Sequence, residues 1–354
     1  MPKLPKSISS NHNYMQLSLI ELGAVEPGQA GSQTVQNMIH TAQQIEAWGY
    51  SRFWLAEHHN TANFISRAPE VTIPLIASHT SRIRVGSGSV LLNHYSPFKV
   101  AEVFTLLADM FPGRIDMGIG RATTGPVSDF ALQRNRSFQQ RTDDSEEQLT
   151  ELINWLTDGF DEGHAFSQAK VSFSPKNLPE LWLLGSSPWS AYTAGSLGLN
   201  YAFAGFINPA QAHVNALRYR DNFVQADHGL GGVKPRLILS LSIYCADSLE
   251  EAGKLAAPMI VMMHRLRQGD ITSALESQER AVQLLGAVPT QSALGDPTLP
   301  PQYLIGTPET IQRDLHAIAK AFETDEIMVQ CISNNPSTRL RCLELLSHAF
   351  KLAG

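Results

Sequence analysis

The sequence predicts an α/β fold in which eight parallel strands close into a (β/α)8 TIM barrel, with a helical insertion between the seventh and eighth strands. Short apolar runs alternate with longer helical patterns along most of the 354 residues, as parallel βαβ units require. The number of strand-like runs is eight, which favours a closed barrel over an open doubly wound sheet. A chain of this length fits one barrel domain with insertions.

Local patterns place each element in order. The strands are predicted at residues 17–20, 53–55, 83–90, 115–119, 181–184, 201–203, 237–244 and 327–329. Apolar residues at helical spacing predict a first helix that Ser32 caps and that ends at Ala47, with Gly49 as the glycine beyond its end. Further helices are predicted at residues 68–78, 97–110 and 143–156.

The stretch between the seventh and eighth strands, residues 245–326, is too long for one loop and one helix. Helical patterns cover residues 249–285, and a region rich in Pro and Gly follows at residues 286–301. We therefore predict one domain over residues 1–354, with a flexible tail at residues 1–15 and a partly mobile insertion at residues 249–303.

Composition excludes several classes of protein. Hydrophobic residues make up 43% of the chain and the formal net charge is −6, so neither a disordered chain nor electrostatic binding to nucleic acid or an anionic membrane is expected. Cys245, Cys331 and Cys342 form no CxxC pair, which predicts reduced, packed thiols. No apolar run approaches the roughly 20 residues that cross a bilayer, and no signal peptide is evident at the N-terminus. We expect a cytoplasmic protein without membrane or nucleic-acid partners.

Polar residues follow several predicted strands directly, where the active site of a barrel lies. After the second strand come Glu57, His58, His59 and Asn60. Adjacent side chains on an extended segment point in opposite directions, so we expect one histidine to exchange a proton and the other to be packed. The same geometry disfavours a metal pair, and no HExxH motif occurs in the sequence. No metal site is predicted.

A second group of residues predicts a phosphate-binding end of the site. Arg121 follows the fourth strand, where a guanidinium is well placed to clamp phosphate. Ser186 and Ser187 precede a helix that Pro188 can start, and hydroxyls at a helix N-terminus bind phosphate. A simple serine N-cap explains the same residues, so both interpretations stay open.

Gly118 and Gly120 lack the third glycine of a dinucleotide fingerprint. We predict instead that they leave room for a flat ligand at the barrel mouth. The sequence has neither a Gly-x-Ser-x-Gly elbow nor a GxxxxGK loop, which disfavours a serine hydrolase or a P-loop NTPase. A phosphate clamp, a glycine floor and one histidine together predict a phosphorylated planar cofactor.

Several segments, in this order and spacing, resemble the bacterial luciferase-like monooxygenase superfamily. They are residues 53–60, 68–71, 83–92, 97–111, 112–122, 304–309 and 325–329. The most specific is residues 112–122, which read PGRIDMGIGRA.

The resemblance implies a TIM barrel that binds FMN at the C-terminal ends of its strands. In luciferase-type members, reduced FMN arrives from a separate flavin reductase and reacts with O₂ to form a C4a-hydroperoxyflavin, which oxidises an aldehyde or another small substrate. An FMN-dependent monooxygenase with a flavin reductase as partner is therefore implied. A homodimer is also implied, and the low share of charged residues, 17%, points the same way.

The resemblance also assigns roles to residues. His58 corresponds to the catalytic histidine, implied to be a general acid and base that titrates near neutral pH, and His59 is its neighbour. Gly88-Ser89 falls where members carry a non-prolyl cis peptide beneath the isoalloxazine ring. Arg121 and Ser186 match phosphate-binding positions. The weaker candidates for phosphate contacts are Ser187, Ser190 and Arg136.

The sequence departs from the family in two places. Luciferase has a reactive cysteine where this chain has Gly120, which argues against its thiol chemistry and against light emission. Residues 265–301 carry no motif that aligns with the family's substrate-covering loop, so the sequence does not identify the substrate. Two other functions stay open: an F420-dependent oxidoreductase on the same barrel, and an FMN-binding protein without turnover.

Overall fold

The computed structural model describes residues 15–26, 28–121, 125–132, 143–171, 177–270, 273–291 and 293–353, and strands alternate with helices throughout. The strands are β1 (Gln16–Glu21), β2 (Arg52–Leu55), β3 (Arg84–Ser87), β4 (Val90–Leu91), β5 (Ile115–Gly120), β6 (Glu180–Gly185), β7 (Asn200–Ala204), β8 (Leu237–Cys245), β9 (Leu304–Gly306) and β10 (Glu326–Gln330). The α-helices are α1 (Gly31–Ala47), α2 (Pro69–Ser78), α3 (Pro97–Met110), α4 (Pro126–Leu132), α5 (Ser145–Thr157), α6 (Pro188–Ser196), α7 (Ala212–Asp221), α8 (Leu249–Arg267), α9 (Gln278–Leu285), α10 (Pro308–Ala321) and α11 (Pro336–Phe350). Short 3₁₀ helices span Leu92–His94, Ala165–Gln168 and Pro209–Gln211.

Eight of the described strands form a closed parallel barrel, which confirms the predicted fold class. Their hydrogen-bonded order is β10, β1, β2, β3, β5, β6, β7 and β8, and β10 pairs back to β8 to close the ring. Parallel strands place all their carboxyl ends at one end of the barrel, so the loops that follow them share one surface. The helical insertion predicted between the last two barrel strands is also confirmed, as α8 and α9.

The eight predicted strands are all present, with two differences. The third prediction, residues 83–90, is divided into β3 and β4 by residues that leave the ladder at positions 88 and 89. β9 was not predicted as a strand. It pairs with the last three residues of β8 beyond the barrel ring, and three residues are too few for a strand pattern to stand out.

The predicted cap of the first helix is wrong. Ala30 is the N-cap of α1 and makes no side-chain hydrogen bond, while Ser32 lies inside the first turn. The backbone N–H of Gln33 already bonds the carbonyl oxygen of Ala30, so the helix begins before Ser32 can cap it. Gly49 follows the helix with φ +84°, a left-handed conformation that favours glycine, as predicted.

A cluster of buried charges fills the amino end of the barrel. Arg52 donates to Asp116 at 2.7 Å and to Glu326 at 2.9 Å, and Arg84 donates to Asp116 at 2.8 Å. Burial alone would raise the pKa of Asp116, but Arg52 and Arg84 lower it below its ordinary value. The pairing makes these buried charges tolerable and leaves the opposite, carboxyl end of the barrel for a site.

Cys245, Cys331 and Cys342 are free and buried, as predicted. None of the helices within the described ranges combines the length and apolar character that crossing a membrane demands.

Candidate active site

The predicted site residues follow four strands that are neighbours in the barrel ring. His58 and His59 follow β2, Ser89 lies between β3 and β4, Arg121 follows β5, and Ser186 follows β6. Because β2, β3, β5 and β6 pair in that order, the structure brings these residues to one side of the barrel mouth. Arg136 lies outside the described residues.

His58 sits in an apolar setting. Its backbone N–H donates to the carbonyl oxygen of Ser66 at 2.8 Å, and its ring lies 5.1 Å from that of Phe64. The buried Nδ1 has no hydrogen-bond partner in the part of the chain that the structure describes. Burial, with a smaller contribution from His59, lowers the pKa of His58 to about 4. The expectation that this group titrates near neutrality is therefore wrong for the ligand-free chain, since burial disfavours the charged ring.

His59 has a carboxylate partner instead. Its Nε2 lies 2.6 Å from Oε1 of Glu57, whose side chain is fully buried. The Tyr95 hydroxyl donates to the same oxygen at 2.7 Å, and the backbone N–H of Leu91 donates to Oε2 at 2.9 Å. Burial and the Glu57 carboxylate raise the pKa of Tyr95. In the structure the His58 ring contacts Phe64 and the His59 ring bonds Glu57. That one histidine exchanges a proton while the other is packed stays a prediction.

Sequence reasoning singled out Glu57 only as part of a motif and missed Tyr95. Tyr95 reaches Glu57 from 38 positions along the chain, and no spacing rule links the two. The one signal was the spacing, because residues two positions apart on an extended segment point to the same side, and an acidic residue stands two positions before His59.

The peptide bond between Gly88 and Ser89 is cis, as the resemblance implies. The neighbouring glycines serve the packing of the barrel. A side chain at Gly118 would meet the carbonyl oxygen of Ser87, and one at Gly120 would meet the hydroxyl of Ser89. At Gly118 a backbone oxygen takes the space that was predicted for a ligand, so the prediction is wrong there. At Gly120 the neighbouring atom is the Ser89 hydroxyl, which a side-chain rotation can move, and the prediction for Gly120 stays a prediction.

Arg121 is engaged by two neighbours. Its guanidinium forms an ion pair with Asp143 and lies 4.5 Å from the ring of Trp189 on α6. The hydrogen bond from Ser145, together with Arg121, lowers the pKa of Asp143. Both partners are partly exposed, 37% for Arg121 and 64% for Asp143, so an incoming anion can replace the carboxylate at small cost.

The three serines before and within α6 divide into two roles. Ser187 is the N-cap of the helix, and its hydroxyl accepts from the backbone N–H of Ser190 at 3.3 Å. Ser190 is buried and bonds Ser187 and the Tyr201 hydroxyl. These contacts support the cap interpretation for Ser187 and give the Ser190 hydroxyl partners within the protein. Ser186 is half-buried, and its hydroxyl has no partner among the described residues, which leaves it available to a ligand.

A narrow recess of about 260 Å³, its mouth included, opens beside Arg121. Gln148 and Trp189 line it, and neither was predicted. The side chain of Gln148 donates to Asp144 at 2.7 Å, but its buried Oε1 receives no hydrogen bond from any described residue. A buried acceptor of this kind, in a recess that an arginine also lines, fits a ligand that carries both a phosphate and hydroxyl groups.

The insertion is tied to the loop that follows β2. The side-chain amide of Asn63 donates to the carbonyl oxygen of Ser273 at 3.0 Å and accepts from the N–H of Leu275 at 2.6 Å. Asn334, after β10, donates to the carbonyl oxygens of Leu275 and Glu276 at 3.1 and 3.0 Å. Residues 273–276 are therefore anchored to two loops at the carboxyl end of the barrel, one of which carries Phe64 and His58.

Comparisons with known proteins agree on a family. A family model described as luciferase-like monooxygenase matches residues 15–324. A luciferase-like monooxygenase of Escherichia coli (strain K12) is 31% identical over 93% of this chain and 95% of its own. The N-acetyl-S-alkylcysteine monooxygenase of Bacillus subtilis (strain 168) is 29% identical over 95% of this chain and 98% of its own.

Solved structures with the same fold also match this chain. The crystal structure of apo-MsnO8 is 36% identical, covers 97% of this chain and 99% of its own, and superposes with a TM-score of 0.85. Two more distant structures share the fold. One is the oxygenating constituent of 3,6-diketocamphane monooxygenase from Pseudomonas putida in complex with FMN, at 22% identity and a TM-score of 0.67. The other is an F420-dependent secondary alcohol dehydrogenase, at 13% identity and a TM-score of 0.66.

Proposed function

The chain belongs to the luciferase-like monooxygenase family, and from that membership we propose that it is a monooxygenase that uses reduced FMN and O₂ to oxidise a small organic substrate. The observation that carries the proposal is the recess at the end of β5, which Arg121 and the Gln148 oxygen line together. Ser186 follows the neighbouring strand β6, and the two histidines follow β2 in the same barrel ring.

The residues at this end suit the ribityl phosphate of FMN. Arg121 would exchange the Asp143 carboxylate for the phosphate, with Ser186 and the N–H groups at the start of α6 as further donors. Gln148 would accept from a ribityl hydroxyl. When bound, reduced FMN supplies the electrons that activate O₂.

His58 would act at the other end of the site. Since its pKa is about 4, the ring is neutral at physiological pH and its free nitrogen is a base. A neutral imidazole can accept a proton from a bound substrate, which makes the ring a cation, and then return that proton and become neutral again. The ring of Phe64, 5.1 Å away, makes these surroundings apolar.

The proposal also covers the source of the electrons and the oligomeric state. The sequence carries no nicotinamide fingerprint, so we expect a separate flavin reductase to deliver reduced FMN. Val71 on α2 and Leu106 and Met110 on α3 are exposed by 67%, 61% and 53%, and helices α2 and α3 are in contact. Exposed apolar side chains of this size on two neighbouring helices support a homodimer. A light-scattering mass near 38.9 kDa, that of one chain, would contradict it.

The test of the function is an anaerobic titration with photoreduced FMN, followed by mixing with O₂ in the presence of small oxidisable substrates. Long-chain aldehydes and N-acetyl-S-alkylcysteines are the first probes, the second because of the Bacillus subtilis relative's name. We expect tight binding and transfer of one ¹⁸O atom from ¹⁸O₂ to a product. Binding of FMN without any product from a broad substrate panel favours the flavoprotein without turnover. Binding of F420 in place of FMN overturns the assignment.

A further inference from the structure

Beside His58 lies a hydrogen-bond network to which the proposed function assigns no role. At its centre is the Glu57 carboxylate, which is fully buried and accepts three hydrogen bonds, from His59, Tyr95 and the backbone N–H of Leu91. Two of these donors, the tyrosine hydroxyl and the backbone N–H, cannot act as charge partners. The histidine is therefore the group in this network that can balance the buried negative charge.

With the Glu57 carboxylate ionised, its contact with His59 assigns the proton to one of the two ring nitrogens. An ionised carboxylate only accepts hydrogen bonds, so the Nε2 that lies 2.6 Å from Glu57 is the N–H nitrogen. Nδ1 then carries the ring's lone pair, and it has no hydrogen-bond partner among the described residues. The side chain of His59 is 14% exposed, so this ring has access to solvent at the barrel mouth. His58 is partly exposed as well, but its Nδ1 is buried and bonds no described residue.

We propose that Glu57 is a positioning residue that holds His59 as an Nε2–H imidazole, so that Nδ1 of His59 takes up and returns one proton at the barrel mouth beside His58. On uptake both ring nitrogens carry hydrogen, and the positive charge is balanced by the Glu57 carboxylate. On release the same proton leaves Nδ1, and the ring returns to its starting tautomer. Tyr95 and the Leu91 N–H keep the carboxylate in place through the cycle.

The surrounding charges are compatible with this role. Glu70 on α2 faces the cluster, and burial followed by the Glu57 charge raises its pKa. The ring of His94 lies 6.3 Å from that of His59, with Asp129 of α4 at 3.6 Å from His94. The immediate partner of His59 is nevertheless Glu57, since no other carboxylate in the described residues lies within ion-pair distance of its ring.

A glutamine at position 57 makes a sharp prediction. The Leu91 N–H is fixed by the backbone and needs an acceptor, so the glutamine carbonyl must face it and the glutamine NH₂ must face His59 and Tyr95. The tyrosine hydroxyl can turn to accept. His59 can accept only by moving its proton from Nε2 to Nδ1, so Glu57→Gln should convert it to the opposite tautomer.

The catalytic role of His59 in this inference rests on the proposed function, but the test of its tautomer does not need a bound flavin. Two-bond ¹⁵N–¹H spectra of the ligand-free protein with ¹⁵N-labelled histidine, at about pH 8 where free imidazole is neutral, report the tautomer of each ring. His59→Gln and His58→Gln assign the signals. We expect His59 as Nε2–H in the wild type and in Tyr95→Phe, and as Nδ1–H in Glu57→Gln. Tyr50→Phe is the matched control, because it removes another buried tyrosine hydrogen bond, to Leu343, away from the site.

An Nδ1–H ring for His59 in the wild type overturns the inference, even if Glu57→Gln does not fold. An unchanged tautomer in a folded Glu57→Gln protein overturns it too. With reduced FMN and a substrate, we expect Glu57→Gln to lower kcat about 100-fold with KM unchanged, and Tyr95→Phe to lower it about fivefold. If the tautomers behave as expected and no flavin binds, the proposed function fails while the role of Glu57 in positioning His59 stands.

Discussion

Two residues at the barrel mouth, Arg121 and His58, differ in whether a neighbouring side chain bonds them. Arg121 is paired with an exposed aspartate and lies on a tryptophan ring, so its side chain is oriented before any anion arrives. The ring of His58 has instead a buried nitrogen that bonds no described residue, and burial keeps this ring neutral.

Asp143→Asn should tighten the binding of FMN. The aspartate competes with the flavin phosphate for Arg121, and its charge repels a phosphate, whereas asparagine does neither. We expect the Kd for FMN to fall by about threefold to tenfold, the range of a partly exposed ion pair, as measured by fluorescence titration. Asp247→Asn removes the exposed partner of Arg341 on α11 and should leave the Kd unchanged. Weaker binding in Asp143→Asn would show that the aspartate helps to form the site.

His58 should make the protein lose stability in acid. The folded-state pKa is about 4 against an ordinary value of 6.5, so between these values the unfolded chain binds a proton that the folded chain does not. The stabilisation is therefore complete above about pH 6.5 and is lost as the pH falls towards 4. The loss is at most roughly 3 kcal/mol.

Urea unfolding at neutral pH and near the folded-state pKa measures this loss. His58→Asn should show a shallower decline in the free energy of unfolding than the wild type, while His40→Asn, an exposed change on α1, should not. Equal declines in the wild type and His58→Asn would contradict the buried neutral ring.

Secondary-structure elements were predictable where the signal is local. Runs of apolar residues located all eight barrel strands, and Pro97 and Pro188 located the starts of α3 and α6. Ser32 was a misleading signal, because a helix cap is decided by where the backbone hydrogen bonds begin. β9 had no signal, since its place depends on pairing with β8 across the insertion.

Residues 273–276 of the insertion are held in place by side chains that are distant in sequence. Asn63 holds the backbone of residues 273 and 275 with both ends of its amide. Asn63→Ala should free this segment, and a lost pair of hydrogen bonds to buried groups is worth about 1–3 kcal/mol. We expect hydrogen exchange at the Leu275 amide to accelerate about tenfold or more.

Asn222→Ala is the control for that change, because it removes an asparagine hydrogen bond at the end of α7, to Arg218. It should leave exchange at residues 273–277 as it is in the wild type. Unchanged exchange in Asn63→Ala would mean that Asn334 alone anchors the insertion.

The whole molecule divides its polar chemistry between the two ends of the barrel. The amino end is closed by Arg52, Asp116 and Glu326, which are almost completely buried, and the carboxyl end holds the groups that are open to ligands. The family and the four loops that build the site could be predicted from motifs in the sequence. The contacts of Tyr95, Gln148 and Trp189 could not, because they arise only when distant segments fold around one strand end.

Removing the charge of Arg52 should destabilise the barrel as a unit. Arg52→Met leaves Asp116 and Glu326 buried without their shared partner, which costs about 3–5 kcal/mol. The exposed pair of Lys99 and Glu102 offers a comparison, since Lys99→Met should cost less than about 1 kcal/mol. Equilibrium unfolding in urea measures both, and similar values for the two variants would contradict a structural role for the buried cluster.

The central claim is that this family member binds FMN with its phosphate on Arg121. It is tested most directly by anaerobic titration of the wild type and Arg121→Gln with reduced FMN and with reduced riboflavin, which lacks the phosphate. We expect the wild type to prefer FMN by about tenfold to 100-fold, the value of one charge-assisted contact, and Arg121→Gln to bind the two flavins equally and weakly. A preference for FMN that survives in Arg121→Gln, or wild-type binding that ignores the phosphate, would contradict it.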